Sequence, residues 1–200
     1  MMSTRLTRSF ATILFASLVV ACGEEARPKR VSTYRGEMQA GSITVTSPAF
    51  APGGPLPAIY ARGDGNENRS PPLRWTGLPD DTVEVALVVD DADSPGTKPF
   101  VHWVVYRLPP GAGDVPAGFS VGARLLQGAG GPLQGGNGFG ETGWGGPDPA
   151  KRDGVHHYSF WIHALNAKVN LPSGASYDDL IGAMKGHVLA QGFVVATYER

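Results

Sequence analysis

The chain predicts a mainly β domain. Apolar residues alternate in short runs, the runs are separated by turns drawn from 28 Gly and 17 Pro in 200 residues, and one stretch alone shows helical spacing. This length with 42% hydrophobic positions supports one sizeable core. Its 17 basic and 18 acidic residues give a net charge of −1, so no cationic field awaits a nucleic-acid backbone and no nucleic-acid partner is expected. A single cysteine excludes an internal disulfide framework and a multi-thiolate metal site.

The N-terminal segment reads as an address. Arg5 and Arg8 precede an apolar run from Phe10 to Ala21, which is shorter than the roughly 20 residues that span a bilayer. Residues 1–21 are therefore expected to be a secretory signal peptide. The run closes Leu18-Val19-Val20-Ala21-Cys22, which resembles the lipobox of bacterial lipoproteins and makes Cys22 the expected lipidated residue. Gly23 follows in place of an Asp, a choice that in that class favours outer-membrane sorting. The expected location is the cell envelope, lipid-anchored at the outer membrane and facing the periplasm. Residues 22–40 mix Glu24, Glu25, Arg27, Lys29, Arg30, Arg35 and Glu37 with few apolar side chains, and read as a flexible tether. The folded domain is expected over residues 41–200, with structure starting near Ile43.

Within the domain, Thr82–Asp90 places Val83, Val85, Leu87 and Val89 on one face. Ala86 and Val88 on the other suggest burial on both sides, hence a central strand. Phe100–Leu108, His157–Leu165 and Phe193–Tyr198 read as further interior strands. Ser176–Ala190 is the expected helix: Ser176 and Asp179 fit a capping box, Leu180, Ala183, Met184 and Val188 share a face, and Gly192 can close it. Gly182 and Gly186 inside that span are unfavourable for a helix, which suggests close approach to the sheet. Gly128–Gly146 contains ten glycines, but Phe139 and Trp144 predict that this loop packs.

Three segments carry chemistry. Asp90, Asp91 and Asp93 stand at a strand exit before Ser94-Pro95, where acids are commonly solvated turn residues. His102 lies in a strand otherwise made of Val, Trp and Tyr, where a histidine is more often satisfied by a framework hydrogen bond. Alternation sends His156 and Tyr158 to one face and His157 to the other. On the residues alone, framework and functional roles both stand.

Ser70-Pro71-Pro72-Leu73-Arg74-Trp75, Asp91-Ala92-Asp93-Ser94-Pro95, His102-Trp103-Val104-Val105, Gly143-Trp144-Gly145-Gly146-Pro147 and Gly154-Val155-His156-His157-Tyr158 follow one another in order. The closing Gly186-His187 and Gly192-Phe193 fit the same series. Together these motifs resemble the phosphatidylethanolamine-binding protein family, whose bacterial branch is labelled Raf-kinase-inhibitor-like. The resemblance implies a large central β-sheet with a smaller flanking sheet and few helices, one of them near the C-terminus. It also implies a small anion pocket formed by Asp91, His102 and His156, with Tyr158 and the Gly143–Pro147 loop, including Gly145, on its rim. Three positions depart from the pattern: Ala92 replaces a proline, His157 replaces an arginine, and Pro149–Asp153 forms a longer and more charged link.

The expected function is an envelope-anchored binding protein whose pocket takes phosphate or a phosphorylated headgroup through imidazole and backbone N–H donors. Asp91 would repel a bare phosphate, so it suits a histidine partner or the ammonium of a zwitterionic ligand. Two alternatives stand beside this. Asp91, the histidines and Tyr158 form an adequate general acid–base set for a hydrolase, although Ser94 and Ser159 lack a nucleophile-elbow context. Asp91, His102 and His156 also form a two-His, one-carboxylate metal set. No cofactor is expected, and kinase inhibition is not carried over because its signalling partners are eukaryotic.

Overall fold

Two antiparallel sheets organise residues 43–119 and 131–200, which this computed structural model describes. The expected signal peptide, Cys22 and the expected tether fall outside the described residues. In chain order the elements are β1 (Thr44–Thr46), β2 (Leu73–Thr76), β3 (Glu84–Asp91), β4 (Phe100–Leu108), β5 (Asp114–Val115), β6 (Leu133–Gln134), β7 (His156–Leu165), α1 (Tyr177–Met184) and β8 (Val188–Tyr198). The large sheet runs β6-β4-β3-β7-β8 and the small one β1-β2-β5. The expected fold, a mainly β structure with a large sheet, a smaller sheet and a helix near the C-terminus, is the fold observed.

β3 is central because every one of its residues is buried. Val85, Leu87 and Val89 face a core shared with Trp103, Phe160 and the small sheet's Leu73 and Trp75. Ala86 and Val88 face the other way, into a cluster closed by Leu180 and Met184 of α1. Such two-sided burial explains the unbroken apolar run, since neither face meets water. Val83, assigned to this strand by alternation, lies just outside it and is 42% exposed.

The helix is shorter than its sequence pattern. Ser176 and Asp179 form the expected capping box, but the helical path stops at Met184. Lys185 turns to extended ψ and Gly186 takes φ +78°. Val188, read as the next helical position, instead opens β8 opposite Leu165. Gly182 does not bring the helix close to the sheet: no atom lies within 4 Å of where its Cβ would stand. Nor does Gly192 cap a helix. It pairs with Ile162 inside β8, where a Cβ would fall 1.8 Å from the Ile43 carbonyl oxygen.

That contact marks how the edge of the large sheet is closed. The N–H groups of Ile43, Gly53 and Leu56 donate to the carbonyls of Gln191, Val195 and Thr197, so the first described segment covers the outer side of β8 and removes an open strand edge. No helix among the described residues is long and apolar enough to cross a membrane.

Two glycine substitutions should therefore have opposite signs. Gly192→Ala must push the Ile43 backbone away and is expected to destabilise by about 1–3 kcal/mol. Gly182→Ala, in an open helical position, should stabilise by about 0.5–1 kcal/mol. Urea midpoints of the two variants check both; equal midpoints would contradict the packing described.

Candidate functional site

Asp91 ends β3, and register places Tyr158 of β7 on one side of it and Phe100 of β4 on the other. Its Oδ1 accepts the N–H groups of Asp93 (2.9 Å) and Ser94 (3.1 Å), a short Asx-type turn that bends the chain off the strand. Its Oδ2 lies 2.7 Å from His156 Nδ1, and both side chains are 5% exposed. The carboxylate can only accept here, so Nδ1 carries the hydrogen and Nε2 is the ring's remaining nitrogen.

His102 is tied the same way to a different partner. Its Nδ1 is 2.6 Å from the Gly145 carbonyl, so in the neutral ring Nδ1 donates and Nε2 is an acceptor. Burial holds the His102 imidazole below its ordinary range, against the raising effects of the Gly145 carbonyl and the Asp91 charge. Asp91 thus does not lift the His102 proton affinity above normal, because the loss of solvent outweighs one neighbouring charge. Burial, with the Asp91 and Asp93 charges behind it, raises the Tyr158 phenol well above its usual range and keeps it a donor.

Asp91, His102, His156 and Tyr158 share one cavity of about 200 Å³. Its wall also includes Phe100, Phe139, Asp148 and Asp153 and, among the described residues, no lysine or arginine. Aromatic rings crowd His102: the Phe100 and Tyr158 centroids lie 5.0 and 5.1 Å away, and Phe139 packs edge-on to Phe100. His157 stays off this wall, as alternation predicts. Its N–H and Nδ1 both reach Asp93 Oδ2, at 2.8 and 2.7 Å, and so pin the turn after Asp91.

The glycine-rich loop plays another part than expected. Gly145 is not on the cavity wall; its N–H donates to the His102 carbonyl. The N–H groups of Gly135, Gly136, Gly138, Gly140 and Gly143 are likewise committed to backbone carbonyls, and that of Gly146 to Asn68 Oδ1. They are spent on the protein and do not offer a nest to an anion. Asn137 organises the loop, donating to the Gly143 carbonyl and accepting from Phe139 and Glu141. Glycine is required at Gly138, where a Cβ would meet the Phe100 ring at 2.6 Å, and at Gly145, where it would meet Phe139 at 2.5 Å.

Phe100, Phe139, Asp148 and Asp153 were not singled out as site residues from the sequence. Phe139 was expected to pack, but its placement depends on the Asn137 turn. Asp148 is held by Arg200 at 2.6 Å, a partner 52 residues away that no local pattern signals. Arg62 lies over the Phe139 ring at 4.5 Å and makes a two-point contact with Glu141. The metal alternative finds no ligand set: among the described residues no three His, Cys, Asp or Glu side chains are placed to share an ion. Asp91 is turned to His156 and the turn N–H groups, and His102 Nδ1 to a carbonyl. Phe100 also lines a larger groove of about 590 Å³, which among the described residues carries no histidine.

Buried neutral histidines make stability pH-dependent. His163, farther along β7, is held by burial at about 4, and His102 is shifted in the same direction. The unfolded chain takes up these protons near pH 6.5, before the folded one does, so stability is full above that pH and is lost as pH falls towards the folded values. For His163 the loss between pH 6.5 and 4 amounts to about 3 kcal/mol. Urea titrations at pH 7, 5.5 and 4 should show a gap between parent and His163→Gln that closes in acid; a constant gap would contradict this assignment.

Over residues 46–199 the chain matches the family described as phosphatidylethanolamine-binding protein. It is 39% identical over 152 residues to a UPF0098 protein of Methanothermobacter thermautotrophicus, covering 76% of this chain and 95% of the relative. A UPF0098 protein of Pyrococcus horikoshii is 34% identical over 98% of this chain and 91% of its own length. Among solved structures, Escherichia coli YbcL, described as a new member of the mammalian PEBP family, superposes with a TM-score of 0.73 at 31% identity. That match covers 80% of this chain and 99% of YbcL.

Proposed function

The chain belongs to the phosphatidylethanolamine-binding protein family, and from that premise we propose that its small cavity binds a phosphorylated headgroup carrying an ammonium. One observation carries this reading: two imidazoles stand among Asp91, Asp148 and Asp153 on a wall that, among the described residues, has no lysine or arginine. With Asp148 paired to Arg200, the carboxylates of Asp91 and Asp153 remain on the wall, and a bare phosphate would be repelled by them. A zwitterion resolves the conflict, its phosphate facing the imidazoles and its ammonium facing the outer carboxylates. The Tyr158 hydroxyl is a donor at neutral pH; His156, whose Nδ1 hydrogen is spent on Asp91, donates to a ligand from Nε2 only when its ring carries both hydrogens. His102 donates from Nε2 only once protonated, below its ordinary range.

Isothermal titration at pH 6 with phosphoethanolamine, inorganic phosphate and ethanolamine tests the reading. Phosphoethanolamine should bind at least roughly tenfold tighter than either fragment, and its affinity should weaken as pH rises through the folded His102 value. Losing one charge-assisted bond in His156→Ala should cost roughly 10- to 150-fold, while His157→Ala should bind like the parent. Phosphate binding as tightly as phosphoethanolamine, or His157→Ala proving the more damaging, would overturn the site. Release of inorganic phosphate from phosphoethanolamine would favour the hydrolase alternative.

The same proposal places the domain on a membrane through Cys22, at the end of a tether, within the bacterial Raf-kinase-inhibitor-like branch of the family. Support comes from the apolar run that ends Ala21-Cys22. Labelled fatty acid should enter the parent and not Cys22→Ala; equal labelling would remove the anchor.

A further inference from the structure

The two ends of β3 hold different chemistry. Asp91 at one end belongs to the small cavity, while Glu84, seven residues earlier and roughly 20 Å away at strand rise, belongs to another. This second cavity has a volume of about 460 Å³ and is walled by Val83, Glu84, Arg107, Leu108, Lys168 and Val169 among others.

Arg107 is held into it by the backbone. β3 and β4 slip register between Val85 and Leu87, and Arg107 takes φ +60° at the irregularity. A left-handed backbone is disfavoured for arginine and persists where the surroundings fix it. Glu84, 4% exposed, does the fixing: Oε1 accepts the Arg107 N–H at 2.9 Å and Oε2 the Val169 N–H at 3.2 Å. Both carboxylate oxygens are therefore engaged by backbone. The guanidinium makes two long contacts, Nε to the Val169 carbonyl at 3.4 Å and Nη2 to the Leu171 carbonyl at 3.3 Å. Among the described residues neither Arg107 nor Lys168 has a carboxylate at ion-pair distance. Arg107 and Lys168, whose charges act on the Glu84 carboxylate without reaching ion-pair distance of a described carboxylate, thus stand beside an apolar wall of Val83, Leu108 and Val169, and Val83 is one of three large hydrophobic residues exposed in the described structure.

We propose that this cavity is a second ligand site, for a small carboxylate with an apolar body, held by Arg107 and Lys168. The carboxylate would replace the two long carbonyl contacts of Arg107 with shorter charge-assisted bonds, and the apolar body would cover Val83.

Benzoate titrated into the intact protein, followed by amide NMR, tests this. Saturable shifts are expected at Glu84, Arg107 and Val169 and not at Asp91 or His156. Arg107→Gly removes the guanidinium but suits φ +60° and keeps the N–H that Glu84 accepts, so it should melt no lower than the parent and bind benzoate about tenfold more weakly. Lys168→Gln should weaken binding roughly threefold, with no dependence on the bulge. Three results would overturn the site: no saturable shifts at these amides, parent-like affinity in both variants, or inorganic phosphate binding as tightly as benzoate.

Discussion

Three donors converge on the buried carboxylate of Asp91: two backbone N–H groups from the turn that follows it and one imidazole from the neighbouring strand. A buried carboxylate is tolerated only when its oxygens are satisfied, so the requirement to pair Asp91 fixes its surroundings. The turn donors set where the chain leaves β3, and the imidazole sets the rotation of His156. Tyr158 follows two residues on along β7, on the same face. Replacing the Asp91 charge would loosen the turn and the histidine together.

The strands were legible because their burial is two-sided or regularly alternating, and hydrophobic spacing records burial directly. His156 and Tyr158 could be placed on one face by alternation alone. The helix end was overrun because Val188 happens to continue the helical period of Leu180 and Met184, while the turn that stops it depends on the left-handed Gly186 and on pairing with Leu165. Gly145 could be linked to the site, but its part there could not be read. Sequence marks a glycine as permissive without saying whether its N–H faces a ligand or the protein, and here it faces His102. Phe100, Asp148 and the Arg200 contact escaped because they depend on register and on long-range ion pairing.

The two histidines of the cavity differ in what they can do, although both are buried. His156 has a carboxylate behind it, which fixes the hydrogen on Nδ1 and the rotation of the ring. His102 has a carbonyl behind it and aromatic rings around it, and its charged form lacks solvent. One cavity therefore contains a histidine fixed by a carboxylate and another fixed by a carbonyl, in a setting that opposes its charge. Both neutral rings turn an Nε2 acceptor away from their partners, and the Tyr158 hydroxyl is the donor beside them.

The hydrogen bonds from Ile43, Gly53 and Leu56 to β8 also define how the domain carries mechanical load. Tension applied at Ile43 reaches the large sheet through its outermost strand, at the point where Gly192 admits the Ile43 backbone against it. The contacts at Gly53 and Leu56 follow later along the chain, so force would open this seam progressively, beginning at Gln191 and moving towards Thr197. β3 and the Asp91 turn stand two strands inward from that seam. A domain pulled from its N-terminal side would yield first at the sheet margin, and the cavity, whose His156 and Tyr158 stand on β7 beside β8, would feel the strain only as the opening reaches Thr197.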